Sequence, residues 1–343
     1  MGGVLSMGSS ASLPLREALA VLHARPLDVL CLGRAGVDLY AVQKNTPLEE
    51  VTQFNKSVGG SPANIATAVA RLGGKSGVIS VVADDGLGRS VVQFLQRNGV
   101  NTDGIRTSKS RALTSLALTE IQPTDCQVVI YRQGAADLQL SPDAIDAAAI
   151  ASSKVLLLTG TAFSAEPSRA ACFYAMSCAR AAGTQVVLDL DYRPYGWHSE
   201  EEAAATLAAA SAHCDLLIGN LEEFAVLRRA LPVGAGPQSL LSASLQTVVV
   251  KNGAQGCQVF TQGGQVYRQG VFRVVAQKPM GSGDAFAGAL LWALCQGQAW
   301  PHALDCGAAA AAINVSRDTC ADAMPSLAEL NAFMAQHALM PPE

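Results

Sequence analysis

The sequence predicts an α/β fold in which helices cover both faces of a mostly parallel β-sheet. From residue 29 onward, short runs rich in Val, Ile and Leu alternate with Ala- and Leu-rich helical stretches, the order expected for parallel strands joined by crossover helices. Several of these runs are continuously apolar, which is typical of strands buried on both faces. Two stretches, at about 35–58 and 107–132, break the alternation and indicate a second, smaller sheet.

The central strands are predicted in chain order at 29–33, 78–82, 155–160, 186–191, 216–220 and 247–251. In the second irregular stretch, Leu116, Leu118 and residues 128–131 have strand character with no helix between them. We expect both irregular stretches to form a lid over the carboxyl ends of the parallel strands, where α/β proteins bind ligands. The predicted organisation is an N-terminal extension over 1–27 and one domain over 28–338, into which the lid is inserted.

The amino-acid composition limits the kinds of molecule that the protein is expected to bind. The chain has 343 residues, half of them hydrophobic, a formal net charge of −4 and no Lys/Arg-rich run, so we expect neither nucleic acid nor a membrane as partner but a small molecule. Its nine cysteines are scattered without a CxxC pair, which indicates reduced thiols, no structural metal and a cytoplasmic location. Residues 1–25 contain no membrane-spanning run or signal-peptide pattern, and we expect a disordered start followed by a short helix.

The segment 281–288 carries the strongest chemical signal. Gly281, Ser282 and Gly283 precede a helical apolar pattern, so their backbone N–H groups are expected to form an anion site at a helix N-terminus. Such a site suits the charge that develops on a transferring phosphoryl group, and Asp284 follows it directly. From this segment alone, Asp284 could equally be an acid that only stabilises the helix dipole. A dinucleotide-binding turn fits less well, because the segment lies late in the chain and lacks the full glycine pattern.

A second segment, 59–73, combines helix signals with an unexplained double glycine. Ser61 suits the N-cap, Pro62 the first turn and Gly73 the end of a helix. Gly59 and Gly60, followed by the polar Asn64 among alanines, indicate a backbone that a ligand approaches closely.

These segments resemble the signatures of the PfkB or ribokinase-like carbohydrate kinases, and the resemblance extends from about residue 28 to 338. It is carried by residues 59–64, 84–88 and 281–284. The resemblance implies a ribokinase-like fold, ATP as phosphoryl donor, Mg²⁺ as cofactor and Asp284 as the catalytic base next to an anion hole of Gly281, Ser282 and Gly283. It also implies that the sugar hydroxyls are bound by Asp38, Gly59, Gly60 and Asn64.

The resemblance also implies a nucleotide site. Asn220 and Glu223 match the N-x-x-E motif of the family, in which the acid holds a water of the magnesium ion. A capping Asn and a solvated acid are the simpler alternative. Further expected nucleotide contacts are Lys251, Gly253, Gly256 and Asn314.

Within the family, residues 33–40, 189–197 and 316–325 most resemble the 5-dehydro-2-deoxygluconokinases of inositol catabolism. That resemblance implies a sugar-acid substrate. A carboxylate needs a cationic partner, and a guanidinium can bind it with two hydrogen bonds. The candidates in this part of the site are Arg34, Arg132 and Arg193, together with Asp189. Surface arginines without a ligand remain the alternative.

The chain departs from the family at residues 277–280, where Lys278 stands in a stretch that helps many relatives to hold a monovalent cation. Lys278 could replace the charge of the ion or point to solvent, so a requirement for K⁺ is doubtful. A kinase of 2-keto-3-deoxygluconate, fructose or ribose and a catalytically silent sugar-binding protein remain alternative functions. Because lid sheets of such kinases pair with a second copy, we expect a homodimer.

Overall fold

The computed structural model describes residues 13–231 and 236–342. The predicted disordered start lies mostly outside the described residues, while the predicted short helix is present. Helices are numbered in chain order: α1 Leu15–Val21, α2 Ser61–Arg71, α3 Gly86–Arg97, α4 Ala147–Ala151, α5 Ser168–Ala182, α6 Glu200–Ser211, α7 Leu221–Leu227, α8 Ser282–Cys295, α9 Trp300–Val315 and α10 Leu327–Gln336. In the described part of the chain, no helix is both long and apolar enough to cross a bilayer.

Strands are numbered in the same way: β1 Leu27–Leu32, β2 Gly36–Ala41, β3 Phe54–Gly59, β4 Ser76–Val82, β5 Ile105–Thr107, β6 Leu116–Thr119, β7 Val128–Tyr131, β8 Ser153–Thr159, β9 Gln185–Asp189, β10 Leu216–Asn220, β11 Thr247–Lys251, β12 Cys257–Thr261, β13 Val266–Gln269, β14 Val271–Phe272 and β15 Leu339–Met340. All six central strands predicted from the sequence are present, with small differences at their ends.

A nine-stranded sheet forms the centre of the molecule, in the order β13-β12-β11-β10-β9-β8-β1-β4-β5. Neighbours from β11 to β5 are parallel, whereas β12 and β13 add an antiparallel edge. Side chains alternate across each strand: Val29 and Cys31 face one core, and Leu30 and Leu32 face the other. Helices α2, α8 and α9 cover the first face and α5 and α6 the second, which confirms the predicted α/β class.

The two irregular stretches form a separate four-stranded sheet in the order β3-β2-β6-β7. The pairs β2–β3 and β6–β7 are antiparallel, but the central pair β2–β6 is parallel. Register places Asp38 beside Ala117, and Ala117 beside Ile130, on one face of this sheet. That face lines the large cavity described below, so the two stretches expected to act together do meet in space.

Helix α2 begins differently from the sequence prediction. Ser61 is its first residue and makes no side-chain cap, so the assignment of Ser61 as N-cap is wrong. The N-cap is Gly60, whose φ of 105° is open to glycine, and its carbonyl accepts the N–H of Asn64 at 2.9 Å. Gly73, at φ 87°, lies just beyond the end of the helix, as predicted. The tight turn at Gly60 therefore sets the direction in which the side chain of Asn64 projects from α2.

Candidate active site

One cavity of about 1000 Å³ lies between the carboxyl ends of the central strands, the N-termini of α7 and α8 and the inner face of the small sheet. Its volume is at the upper end of the range for ligand pockets, which leaves room for two small substrates side by side. Most of the residues singled out in the sequence line it, including Arg34, Asp38, Gly60, Asn64, Arg132, Asp189, Arg193, Asn220, Glu223, Lys251, Gly253, Gly281, Ser282, Gly283 and Asp284.

Gly281, Ser282 and Gly283 form a turn, here called the anion turn, at the start of α8. Gly281 has φ 84°, and a Cβ there would lie 2.5 Å from Sγ of Cys320 and 2.6 Å from Oδ1 of Asn314. A Cβ on Gly283 would lie 3.2 Å from Nζ of Lys251. Position 281 therefore requires glycine, because its backbone is left-handed and a Cβ would collide with neighbouring side chains. The first backbone N–H groups of α8 have no acceptor within the helix. A cationic side chain stands directly beside them.

Asp284 lies in the first turn of α8 and accepts a hydrogen bond from Nδ2 of Asn64 at 2.7 Å. Burial raises the pKa of Asp284 to about 6, with further upward contributions from the charges of Asp191 and Asp189. The Asn64 hydrogen bond and Lys251 act in the opposite direction. A carboxylate with a pKa close to neutral can accept a proton at physiological pH, which is what a general base requires.

Asn64 has a second feature that points to a ligand. Its Oδ1 is buried and has no hydrogen-bond partner in the described part of the protein, although Asn64 lines the cavity. Because Nδ2 is committed to Asp284, Oδ1 is an acceptor whose desolvation is uncompensated. A hydroxyl group in the cavity would supply the missing donor.

Asp38, on the interior strand β2 of the small sheet, and Arg34 form a buried ion pair. Nη2 of Arg34 donates to Oδ1 of Asp38 at 2.9 Å and Nε donates to Oγ of Ser115 at 2.9 Å. A Cβ on Gly59 would lie 2.0 Å from the carboxylate of Asp38, and one on Gly60 would lie 2.3 Å from the carbonyl oxygen of Arg34. The double glycine therefore makes room for this pair, and Gly59 itself does not line the cavity.

The other two arginines are also paired with acids. Arg132 is buried and donates through Nε to Asp137 at 2.8 Å and through Nη1 to the carbonyl of Thr161 at 2.9 Å. The side chain of Arg193 is 45% exposed, and its Nη2 lies 2.9 Å from Oδ1 of Asp191. Arg34 and Arg132 are thus buried rather than on the surface, and all three guanidinium groups are paired with acids of the protein.

Acidic and basic groups alternate in the part of the cavity next to the start of α7 and the end of β11. Nζ of Lys251 lies 3.1 Å from Asp189, and although burial alone would lower the pKa of Lys251, Asp189 and Glu223 raise it above its usual value. Asn220 and Glu223 form a reciprocal capping box at the start of α7. Burial raises the pKa of Glu223 to about 7. Lys251 therefore remains charged next to the anion turn.

Besides Gly59, two expected site residues, Gly256 and Asn314, lie outside the cavity lining. Gly256 is in the turn between β11 and β12, where a Cβ would lie 1.9 Å from the carbonyl oxygen of Gln269. Asn314 is fully buried beneath the anion turn, where its Nδ2 donates to the carbonyl of Cys320 at 2.9 Å. Lys278 is fully buried as well, so the alternative that it points to solvent is wrong.

Sequence reasoning missed Asp191 as a site residue. It has φ 33°, accepts from Oγ1 of Thr161 at 3.0 Å and pairs with Arg193. The strand-end position of Asp191 was a usable signal, because acids that follow a buried parallel strand lie at the ligand edge of the sheet. Its left-handed backbone, by contrast, leaves no trace in the sequence.

The comparison with known families agrees with this geometry. The family model of the pfkB family carbohydrate kinases matches residues 27–327. The chain belongs to the pfkB family of carbohydrate kinases. The kinase is 47% identical over 313 residues to the 5-dehydro-2-deoxygluconokinase of Photobacterium profundum, covering 90% of this chain and 95% of the relative.

Other relatives of the kinase support the same placement. The 5-dehydro-2-deoxygluconokinase of Geobacillus kaustophilus is 42% identical over 318 residues, which cover 91% of this chain and 95% of the relative. Among solved structures, the fructokinase with bound ATP from Xylella fastidiosa superposes with a TM-score of 0.79 at 28% identity, covering 90% of this chain and 98% of that one. The kinase thus shares its fold with sugar kinases over nearly its whole length.

Proposed function

We propose that this kinase transfers the γ-phosphoryl group of ATP to a hydroxyl of 5-dehydro-2-deoxygluconate, forming the 6-phosphate in the catabolism of myo-inositol. The observation that carries the choice of substrate is the 47% identity, over 90% of the chain, to a protein of that name. The chemistry of the cavity supports it, because hydroxyl-binding and cationic groups line the same cavity as the anion turn.

In the proposed reaction, Asp284 accepts the proton of the attacking hydroxyl while that oxygen bonds to the γ-phosphorus and ADP leaves. Asn64 orients the carboxylate through its 2.7 Å hydrogen bond. The N–H groups of the anion turn and the ammonium of Lys251 stabilise the negative charge of the phosphoryl group in transit. Asp38 and the unpartnered Oδ1 of Asn64 are available to accept hydrogen bonds from sugar hydroxyls.

The donor groups on the nucleotide side fit a magnesium nucleotide. Within the described residues no group of three or more His, Cys, Asp or Glu side chains could hold a metal ion alone, and Mg²⁺ in kinases is bound mainly by phosphates and water. Oε2 of Glu223 accepts from the N–H of Asn220 at 2.8 Å, and Oε1 lies 3.9 Å from Arg193, which leaves Oε1 able to accept from a metal-bound water. Bound Mg²⁺ would neutralise charge on the β- and γ-phosphates. Asn220, Lys251 and Gly253 would border the nucleotide.

Among the three arginines, Arg34 is the best placed to bind the substrate carboxylate. Its Nε and Nη2 are held by Ser115, Val37 and Asp38, while Nη1 makes no hydrogen bond to the described protein. The guanidinium group of Arg132, in contrast, is already bound to the carboxylate of Asp137 and the carbonyl of Thr161. A rigidly held guanidinium with one unused donor edge can bind a carboxylate with little further ordering.

The test compares kcat/KM for 5-dehydro-2-deoxygluconate, 2-keto-3-deoxygluconate, fructose and ribose in the wild type and in Arg34→Ala, Arg132→Ala and Arg193→Ala. A charge-assisted hydrogen bond is worth roughly 1.5–3 kcal/mol, so loss of the decisive arginine should cost about ten- to a hundredfold with sugar acids only. Arg106→Ala serves as a control, because Arg106 is exposed and away from the cavity. If a neutral sugar is the best substrate, or if no variant narrows the difference between acids and neutral sugars, the sugar-acid assignment fails. If nothing is phosphorylated although sugars bind, the silent-binder alternative holds.

The proposal includes three further points. The small sheet acts as a lid that excludes water from the cavity, residues 1–27 are an N-terminal extension of the kinase domain of 28–338, with Leu15 and Leu19 buried in its core, and the protein is cytoplasmic. It also acts as a homodimer through the outer face of the lid, where Leu39, Leu116 and Leu118 are only partly buried and Tyr131 is 64% exposed.

A further inference from the structure

Lys278 is a charged residue whose side chain is fully buried. Its side chain is 0% exposed, and its Nζ donates to the carbonyl of Met280 at 2.6 Å, to Oδ1 of Asn314 at 3.1 Å and to the carbonyl of Asn314 at 3.4 Å. No carboxylate of the described chain lies within ion-pair distance of it. A buried ammonium without an acid partner is costly, and burial lowers the pKa of Lys278.

The position of this ammonium relates it to the anion turn. Met280 immediately precedes Gly281, and Oδ1 of Asn314 is the atom that a Cβ on Gly281 would approach to 2.6 Å. Lys278 therefore binds two groups next to Gly281: the carbonyl of Met280, which precedes it in the chain, and the side chain of Asn314, which packs against it. Asn314 extends the network to the carbonyl of Cys320. The three acceptors of Lys278 are neutral oxygens, two of them main-chain carbonyls, which is the ligand type that monovalent cations prefer in proteins.

We propose that Lys278 is a positioning residue whose ammonium acts as a fixed internal cation under the anion turn, so that this kinase needs no monovalent cation for turnover. The inference rests on the proposed phosphoryl transfer at Asp284. A K⁺ ion would have to use the oxygens that Nζ already occupies, so the residues present do not fit a bound K⁺. Because no carboxylate of the described chain pairs with Lys278, and the one titratable group that bonds to it is the Cys320 thiol, the positive charge of Lys278 can act on the phosphoryl group held by the turn.

Lys154 provides an internal comparison. It is also buried, but its Nζ donates to Oδ1 of Asp28 at 2.7 Å at the amino ends of β8 and β1, away from the cavity. Its charge is neutralised locally, and its role is to hold strands β1 and β8 together. A purely structural buried lysine and one that serves the anion turn can therefore be separated within one chain.

The experiment measures kcat and KM with the best sugar of the panel in choline, K⁺ and NH₄⁺ buffers for wild type, Lys278→Ala, Lys278→Met and Lys154→Met. We expect wild-type kcat to be the same in all three buffers. In choline, Lys278→Ala should lose about ten- to a hundredfold in kcat, the cost of leaving buried oxygens without a donor near the turn, and should regain a large part in K⁺ or NH₄⁺. Lys278→Met should lose a similar amount without recovery, because its side chain fills the space.

Lys154→Met is expected to lower the melting temperature but to show no response of kcat to cations. The inference is overturned if K⁺ raises wild-type kcat several-fold, if Lys278→Ala keeps wild-type kcat in choline, or if folded Lys278→Ala is not restored by either cation. A second readout is independent of the substrate: K⁺ or NH₄⁺ should raise the melting temperature of Lys278→Ala and leave that of the wild type unchanged. If no sugar is phosphorylated, the proposed function fails, whereas this thermal test still decides the role of Lys278.

Discussion

The environment of Asp284 disfavours the ionised form of its carboxyl group. Burial and two neighbouring acids raise its pKa to about 6, and the hydrogen bond from Asn64 reduces that effect only in part. The folded protein therefore holds an ionised carboxylate that would be more stable in the unfolded chain. This cost is consistent with a group kept for proton transfer, since an acid that only capped the helix would gain more from solvent exposure.

Replacement of Asp284 by Asn should reduce kcat by about a hundred- to ten-thousandfold, because the amide cannot take up the hydroxyl proton. Sugar binding, measured by calorimetry, should change little, since the two side chains have nearly the same shape. Asp103→Asn, at an exposed position outside the cavity, is the control. Retention of a tenth or more of wild-type turnover would show that Asp284 is not the base.

The pH dependence follows from the same pKa. For the wild type, kcat/KM should rise with pH up to about 6 and then become level, because only the ionised Asp284 can act as base. The folded-state pKa lies above the ordinary value of 3.8, so the folded chain binds more protons between these values and this group's contribution to stability is lost as pH rises. Asp284→Asn should therefore melt at a higher temperature than the wild type at pH 8, and the difference should vanish near pH 4. An equal difference at both pH values would contradict the assignment.

At the scale of the element, the start of α8 depends on backbone shape as much as on side chains. Gly281→Ala should cost both activity and stability, because φ 84° is unfavourable for alanine and its Cβ would collide with Cys320 and Asn314. We expect a loss of more than about 2 kcal/mol in the free energy of unfolding, the sum of backbone strain and overpacking, and at least a tenfold lower kcat.

Gly297→Ala is the matched control for that substitution. Gly297 has nearly the same φ, 79°, but a Cβ there would meet no atom within 4 Å. It should lose only about 1 kcal/mol from backbone strain and keep wild-type kcat. Equal kcat for the two glycine variants would show that the crowding under the anion turn does not matter for phosphoryl transfer.

Strands and helices could be predicted from the sequence where a local pattern of residues determines them. The continuous apolar runs identified the strands, and the glycines with Asp284 identified the start of α8. Details that depend on tertiary packing were not accessible: the N-cap at Gly60 rather than Ser61, the parallel pairing of β2 with β6, and the inward direction of Lys278. A lysine in a loop carries no sequence mark that separates a solvated side chain from one that holds buried carbonyls.

At the scale of the whole molecule, the partly exposed apolar outer face of the small sheet, with Tyr131 at 64% exposure, predicts self-association. Tyr131→Lys should shift the protein from dimer to monomer, because it places a charge among apolar residues that would face a second copy. Mass measured by light scattering at several concentrations gives the result. Val275→Lys is the control, since Val275 is 80% exposed and lies outside the small sheet. An unchanged mass for Tyr131→Lys, or a monomeric wild type, would refute dimerisation through this face.

The close approach of Gly59 to Asp38 has a consequence for sequence variation. Since the carboxylate of Asp38 occupies the space that any side chain at position 59 would need, the two positions cannot change independently. Among homologous chains, an acid at the position of Asp38 should always be accompanied by glycine at that of Gly59, and larger residues at 59 should occur only with a small residue at 38. The glycine at position 59 of the signature before α2 is thus explained by the space that a side chain on the neighbouring strand of the small sheet requires.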